Sequence, residues 1–427
     1  MTQVHTQTIE TAGAEKEARK ADEAREVRQT TCCIVGGGPA GVILALLLAR
    51  QKIDVVLLEA HDDFERDFRG DTIHPSVLEI LDELGLAERL LEIRHSRISQ
   101  FTVMTPDGPL TLADLSRLKT RFPYIAMLPQ SDFLEFVVKE LEAYPNFHLT
   151  MGARVEELIE EDGVVRGVRY READGWHEVR ASLTVAADGR GSRMRHLSGM
   201  EPIKTSPPMD VLWFRLPREA SDGEGLLARF SRGHIVVMLD RLEQWQVAYV
   251  ILKGSYSELR AAGIETFRRT LVETVPEFAN RAEHLKEWKQ VSMLSVESSR
   301  LKEWFMPGLL LIGDAAHVMS PVGGVGINYA IQDAVVAANV LTKPLRDGNI
   351  RTDELREVQR QRERPTRIIQ SIQAFIQQNV IGNALNPNQA FSLPLPIRIL
   401  TRIPILRDIP ARIIAFGVRR VHVKQHN

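Results

Sequence analysis

The 427-residue chain has only two cysteines, adjacent at Cys32 and Cys33. Neighbouring thiols offer neither a disulfide framework nor the spaced ligands of a zinc site. No metal is expected, and a reducing, cytoplasmic compartment is the default. An excess of charge of one sign is also missing. Lys and Arg number 54 against 56 Asp and Glu, a net charge of −2. Without a basic surplus to neutralise phosphates, no nucleic-acid partner is expected. Long apolar runs are absent too. The longest, residues 42–49, falls far short of the ~20 residues of a membrane-spanning helix. Residues 1–29 are polar and mixed in charge, with no signal-peptide core, and predict a disordered or loosely helical extension. No internal repeat of fixed period is visible.

What is present is glycine, in two places. At 427 residues two or three domains are expected. Near the start, "TCCIVGGGPAGVILALLLARQKIDVVLLEA" reads as strand (32–35), tight turn, helix, strand. Gly36, Gly38 and Gly41 fit G-x-G-x-x-G, with Pro39 and Ala40 opening the helix. In a dinucleotide-binding unit Gly36 allows the turn, Gly38 lets backbone amides approach a pyrophosphate, and Gly41 lets helix and strand close up. The helix N-terminus supplies amides and a positive dipole end. Glu59, followed by Ala60, stands at the end of the second strand, where an acid holds ribose hydroxyls. A carboxylate there repels a 2′-phosphate, so the ligand is FAD or NAD rather than NADP.

The second glycine cluster lies in "LLIGDAAHVMSPVGGVGIN" (310–328): an apolar strand ends in Gly313-Asp314, and Gly323, Gly324 and Gly326 precede an Ala-rich helix starting near Val325. Such a helix start points free amides and a positive end at negative charge. Between the clusters, "LTVAADGRGSRMRHLSG" ends a strand in Asp188-Gly189. D-G turns at 162–163 and 174–175 predict an antiparallel insertion. Val77, Ile80, Leu81 and Leu84 fall on one helical face, with Ser76 and Glu79 spaced as a capping box.

Taken together, G-x-G-x-x-G, then Asp188-Gly189…Ser192…Arg195, then Gly313-Asp314…His317…Pro321…Gly323…Gly326…Asn328, resemble the p-hydroxybenzoate-hydroxylase-like flavoprotein monooxygenases over residues 30–345. The resemblance implies an α/β protein: a Rossmann-like FAD-binding domain of the glutathione-reductase-like superfold, an antiparallel β-sheet substrate domain, and a C-terminal helical extension. Residues 30–98, 122–203 and 300–345 would bind FAD, 99–121 and 204–299 would form the substrate domain, and 346–427 the helical region. It implies that Asp314 meets the ribityl chain and Pro321 and Gly323 lie at the flavin edge where oxygen reacts. The amides of Gly323, Gly324, Val325, Gly326, Ile327 and Asn328 would face the pyrimidine end of the ring. Asp188 and Gly189 would sit near the pyrophosphate, with Arg69 and Gln130 as further FAD contacts. Arg69 could equally form a surface ion pair with Asp67 or Asp71, and Arg195, a further expected cofactor contact, could instead pair with Asp188. His317 is expected to bond backbone and brace the turn rather than act as acid or base.

The reaction so implied uses non-covalent FAD, transient NADH or NADPH, and molecular oxygen, passing a hydroxyl from a flavin C4a-hydroperoxide to an aromatic or polyketide-like ring. A flavin-dependent halogenase, an isoprenoid-type double-bond reductase and a non-catalytic FAD-binding protein are the rivals. Trp213, Arg215, His234, Met238, Trp245 and Tyr249, on strand-like runs, are candidates to line the pocket for an apolar or aromatic substrate, or simply sheet packing. The substrate-activating base has no signature, and monomer and homodimer stay open. The basic, apolar C-terminal stretch either touches a membrane surface or packs on the FAD domain, and prolines 394, 396, 404 and 410 favour packing.

Overall fold

Five strands in parallel register organise the larger sheet: Leu309–Leu311, Gly175–Ala186, Val27–Val35, Val55–Leu58 and Phe147–Thr150, in that spatial order. The structure, a computed structural model, describes residues 24–65, 71–105, 108–219, 222–223, 225–231, 233–388, 394–395, 406 and 408–424. Most of the extension expected at 1–29 lies outside these residues. The opening strand nonetheless begins at Val27, five residues ahead of the apolar run that predicts it. Its first half is polar and partly exposed, and pairing with Gly175–Ala186, not burial, makes it a strand. Hydrophobic patterning detects burial and is blind to such pairing.

Helix Pro39–Arg50 buries ten residues in a row, Ala40 to Ala49. A helix apolar all round belongs in a core. Its neighbours there are the sheet and helices Gln130–Leu141 and Gly326–Arg346. The predicted antiparallel insertion is present as Arg154–Glu161, Val164–Glu172 and the first half of Gly175–Ala186, turning at Asp162-Gly163 and Asp174-Gly175. Helix Pro75–Glu83 forms where the apolar spacing predicts, but the capping box does not. His74 is its N-cap, with no side-chain cap bond; Ser76 is buried, and Glu79 accepts from the Thr120 hydroxyl instead. Pro75 at the first helical position pre-sets the helical φ without a cap.

The second sheet has seven strands, in the order Ser292–Leu294, Met209–Pro217, Gln244–Leu252, His234–Arg241, Leu226–Ser231, Gln100–Thr105 and Gly108–Asp114. Side chains alternate across it. Leu212, Phe214, Val236, Met238, Trp245, Val247 and Tyr249 pack on helix Ile264–Thr274 through Phe267 and Leu271. Val211, Trp213, Phe230, Val237, Ala248 and Val250 face the other way, towards Val322 and the end of helix Thr352–Ile376. Helix Asp408–Phe416 packs through Ala411, Ala415 and Phe416 against Ile98, Leu115 and Ile125. Within the basic C-terminal stretch, residues 396–405 and 407 lie outside the described residues. No described helix is long and apolar enough to cross a membrane.

Candidate functional site

The carboxyl ends of the parallel strands fall level. Val35 pairs with Ala186 and with Leu58, and Ala186 with Leu311. The next residues are Gly36, Glu59, Ala187-Asp188 and Ile312-Gly313, so both glycine turns, the ribose-type acid and the D-G loop share one edge. That edge is where open α/β sheets bind ligands. The two turns also touch: a Cβ on Gly313 would meet Ala330 Cβ at 3.1 Å and Ala40 Cβ at 3.5 Å.

The first turn sorts its glycines by cause. A Cβ on Gly41 would lie 1.9 Å from the Gly36 carbonyl oxygen, and one on Gly36 would lie 2.5 Å from the oxygen of Ala187. Internal packing demands both. Gly38 differs. Its backbone is extended, open to any residue, and a Cβ there would meet nothing closer than the Ala187 oxygen at 3.9 Å. The chain itself does not require Gly38, whereas a phosphate lying against the backbone would. Glu59, buried, accepts from the Gly37 amide at 2.8 Å and pairs with His61 at 2.7 Å, while Ala60 is exposed. The N-termini of helices Pro39–Arg50 and Gly326–Arg346 have neither a side-chain cap nor an acid in the first turn. Both leave positive dipole ends for an anionic or electron-rich group. Space at Gly38, a buried acid at Glu59 and two uncapped helix starts fit FAD.

The D-G loop is occupied with itself. Asp188 accepts from the Ser192 hydroxyl at 2.6 Å and the Met194 amide at 2.9 Å. Burial raises its carboxyl above the ordinary range, against those bonds. Arg195 does not pair with Asp188. It donates to the carbonyls of Arg190 at 2.7 Å and Ala315 at 2.9 Å, stitching this loop to the second turn. Gly189 takes the left-handed conformation that reverses the chain there.

The second turn is held from a distance. Gly313 donates its amide to Asp333 at 3.0 Å, His317 Nε2 meets the same carboxylate oxygen at 2.6 Å, and Arg362 Nε donates to the other at 2.6 Å. All three side chains are buried. Burial pushes the Asp333 carboxyl up, but the adjoining His317 and Arg362 more than offset it and hold it below the ordinary range. His317 therefore braces the turn, as expected, through a carboxylate rather than through backbone. Further along, Thr72 Oγ1 donates to the Gly324 carbonyl at 2.9 Å, and Asn328 Oδ1 accepts from the His74 amide at 3.0 Å. Asn328 thus spends its side chain on the fold. Gly323 (φ +80) and Gly324 (φ +63) are left-handed. Asp314 is half-buried at the strand end, and Pro321 precedes the single turn Val322–Gly324.

The pocket candidates divide between the two faces of the second sheet. Trp213 belongs to this face, and strand alternation puts Arg215 there too. His234, Met238, Trp245 and Tyr249 lie on the far face. Met238, Trp245 and Tyr249 pack in its core, Tyr249 bonds His234 Nδ1 at 2.7 Å, and the Trp245 indole donates to Asp222 at 2.9 Å. A one-residue shift along a strand reverses the face, and the sequence does not say which residues share a face. Arg241 pairs with Asp71 at 2.5 Å, and Asp71 also accepts the Gln130 amide at 3.2 Å. Gln130 is the first residue of its helix, Gln130–Leu141. Arg69 lies outside the described residues.

Sequence reasoning missed Asp333, Arg362, Thr72, His74 and Asp71. One signal was available: Gln332-Asp333 interrupts an otherwise apolar helix, and a buried acid needs a partner. Nothing local names Arg362 as that partner.

Residues 29–366 match the model of the family described as FAD binding domain. The chain is 32% identical over 402 residues to a 6-methylpretetramide 4-monooxygenase of Streptomyces rimosus, covering 92% of this chain and 94% of that protein. It is 28% identical over 330 residues to a para-nitrophenol 4-monooxygenase of Pseudomonas sp., covering 74% and 78%. The crystal structure of a p-nitrophenol 4-monooxygenase from Pseudomonas putida superposes with TM-score 0.72 at 22% identity, over 92% of this chain and all of that one. The chain belongs to the FAD-dependent monooxygenases built on this domain.

Proposed function

We propose that this flavoprotein monooxygenase hydroxylates an aromatic or polyketide-like small molecule, with FAD bound non-covalently across the two glycine turns. The observation that carries the reading is their adjacency on one sheet edge, with the apolar face of Trp213, Phe230 and Val237 opposite Val322. The named substrates of the relatives, a pretetramide and a nitrophenol, are aromatic or polycyclic and agree with an apolar wall.

In this reading Gly38, Pro39, Ala40 and Gly41 present the helix start to the pyrophosphate, and Glu59 takes the adenosine ribose. Asp314 takes the ribityl chain, and residues 323–328 direct backbone amides and the dipole of the Gly326–Arg346 helix at the pyrimidine end of the ring. Bound FAD, reduced transiently by NADH or NADPH, supplies the activation of molecular oxygen. The chain's own share is to position ring and substrate, to stabilise negative charge at that helix start, and to exclude water with the sheet face. Asp188 and Arg195 we assign to bracing. The division into FAD-binding segments 30–98, 122–203 and 300–345 and substrate segments 99–121 and 204–299 is part of the same proposal.

The test is NAD(P)H oxidation by the yellow, FAD-loaded protein across phenols, quinolones and polyketides, with product analysed after reaction under ¹⁸O₂. Label in a new hydroxyl supports the reading. A halogenated or doubly reduced product, or a preparation that takes up no FAD, contradicts it.

A further inference from the structure

Helix Thr352–Ile376 turns a line of shielded amides towards the second glycine turn. Gln370 donates to the carbonyls of Ser299 at 2.9 Å and Val318 at 3.1 Å. Gln373 donates to those of Ser320 at 2.9 Å and Val322 at 2.8 Å. Gln377, where the helix widens into the π-helical turn Gln377–Ile381, donates to Ser320 Oγ at 2.5 Å. Gln373 and Gln377 are 2% and 3% exposed. An amide so deeply buried is unfavourable unless bonded, and both Gln373 and Gln377 spend their donors on the residues flanking Pro321.

Those residues need the help. Pro321 has no amide hydrogen to anchor itself, and Gly323 and Gly324 follow in left-handed conformations that glycine enters and leaves freely. Local preference does not fix this turn. The same helix end also meets the sheet face: Ile376 and Ile381 pack with Val211, Trp213 and Ala248. The π-helical turn closes this long helix, with only Gly382–Ala384 beyond it, and π turns occur frequently at functional sites.

We propose that Gln373 and Gln377 are positioning residues of the flavin edge, gripping Ser320 and Val322 on either side of Pro321 and so fixing how the ring is seated. This rests on the reading of residues 313–328 as the site of the flavin ring. Gln373→Leu and Gln377→Leu remove the donors at similar volume, and Ser320→Ala removes the Oγ that accepts from Gln377 and from the Val322 amide. Gln359→Leu is the control, since Gln359 is a buried glutamine of the same helix that bonds Lys302 and Trp304 instead.

Two readouts are taken: the visible circular dichroism of bound FAD, and hydrogen exchange of the peptide spanning 318–326 in protein with and without FAD. Gln373→Leu, Gln377→Leu and Ser320→Ala are expected to alter the flavin dichroism and to speed exchange at 322–324 by about tenfold. Gln359→Leu, at a comparable loss of Tm, changes neither. Equal changes in all four variants, or no change in Ser320→Ala and Gln377→Leu, overturn the proposal. Should the wild-type protein take up no FAD, the cofactor reading fails separately, and exchange in the FAD-free protein alone decides the tether.

Discussion

The first glycine turn carries its own support. Gly36 and Gly41 are forced by atoms of the same strand–turn–helix unit and its neighbouring strand, and Glu59, on the next strand, bonds the Gly37 amide directly. The second turn, one strand beyond its neighbour on the same edge, borrows its support. Asp333, Arg362, Thr72, Asn328, Gln373 and Gln377 hold it from two helices and a distant strand. A local motif therefore suffices for the turn we propose for the pyrophosphate, whereas the turn we propose for the flavin ring is fixed by long-range bonds. Each turn should accordingly fail in its own way.

The largest effect is expected at the borrowed support. Asp333→Ala leaves the Arg362 guanidinium buried without its carboxylate, which should cost about 3–5 kcal/mol in urea unfolding. A loss below ~1 kcal/mol would mean that the pair is not buried as described.

Next is acid sensitivity. Burial pushes the His74 imidazole down to about 4 from its ordinary 6.5. Between those values the unfolded chain binds a proton that the folded one does not, so stability should fall as pH drops from 6.5 to 4, by roughly 2–3 kcal/mol. Asp333 acts in a lower window. Its folded value is depressed, so its contribution is fully present above the ordinary 3.8 and is lost only as pH falls below it. His74→Gln should flatten the upper limb of the acid unfolding curve and leave the lower one. An unchanged upper limb would remove His74 from the account.

The first turn then separates packing from binding. Gly41→Ala should cost about 1–3 kcal/mol or more through overpacking. Gly38→Ala, with space for its Cβ, should change stability by no more than ~0.5 kcal/mol and yet weaken FAD binding. A destabilisation as large as that of Gly41→Ala would show that Gly38, too, is a packing glycine.

The sequence displayed some of this and hid the rest for identifiable reasons. The strands flanking both turns, the turns themselves and the Ala-rich helix are local patterns, so residues 31–60 and 310–346 disclose them unaided, whereas the parallel strand Phe147–Thr150 carries no such signature. The amphipathic helix at 75–83 was visible, but its supposed Ser76–Glu79 box was not real, because capping depends on the backbone at His74 and not on spacing alone. The second sheet was legible as strands and not as faces. Trp213 and Met238 look alike in sequence yet point to opposite sides. The buried Asp333–Arg362 pair joins residues 29 apart on separate helices, a contact that no local pattern encodes.

The central claim is that one extended cofactor spans both turns, and binding of FAD and ADP by FAD-free protein tests it directly. ADP carries the pyrophosphate and adenosine but no flavin. Asp314→Ala is expected to weaken FAD binding about tenfold, ~1.4 kcal/mol, without altering ADP, whereas Gly38→Ala weakens both. Unchanged FAD retention in Asp314→Ala, or an equal loss of ADP, would contradict it.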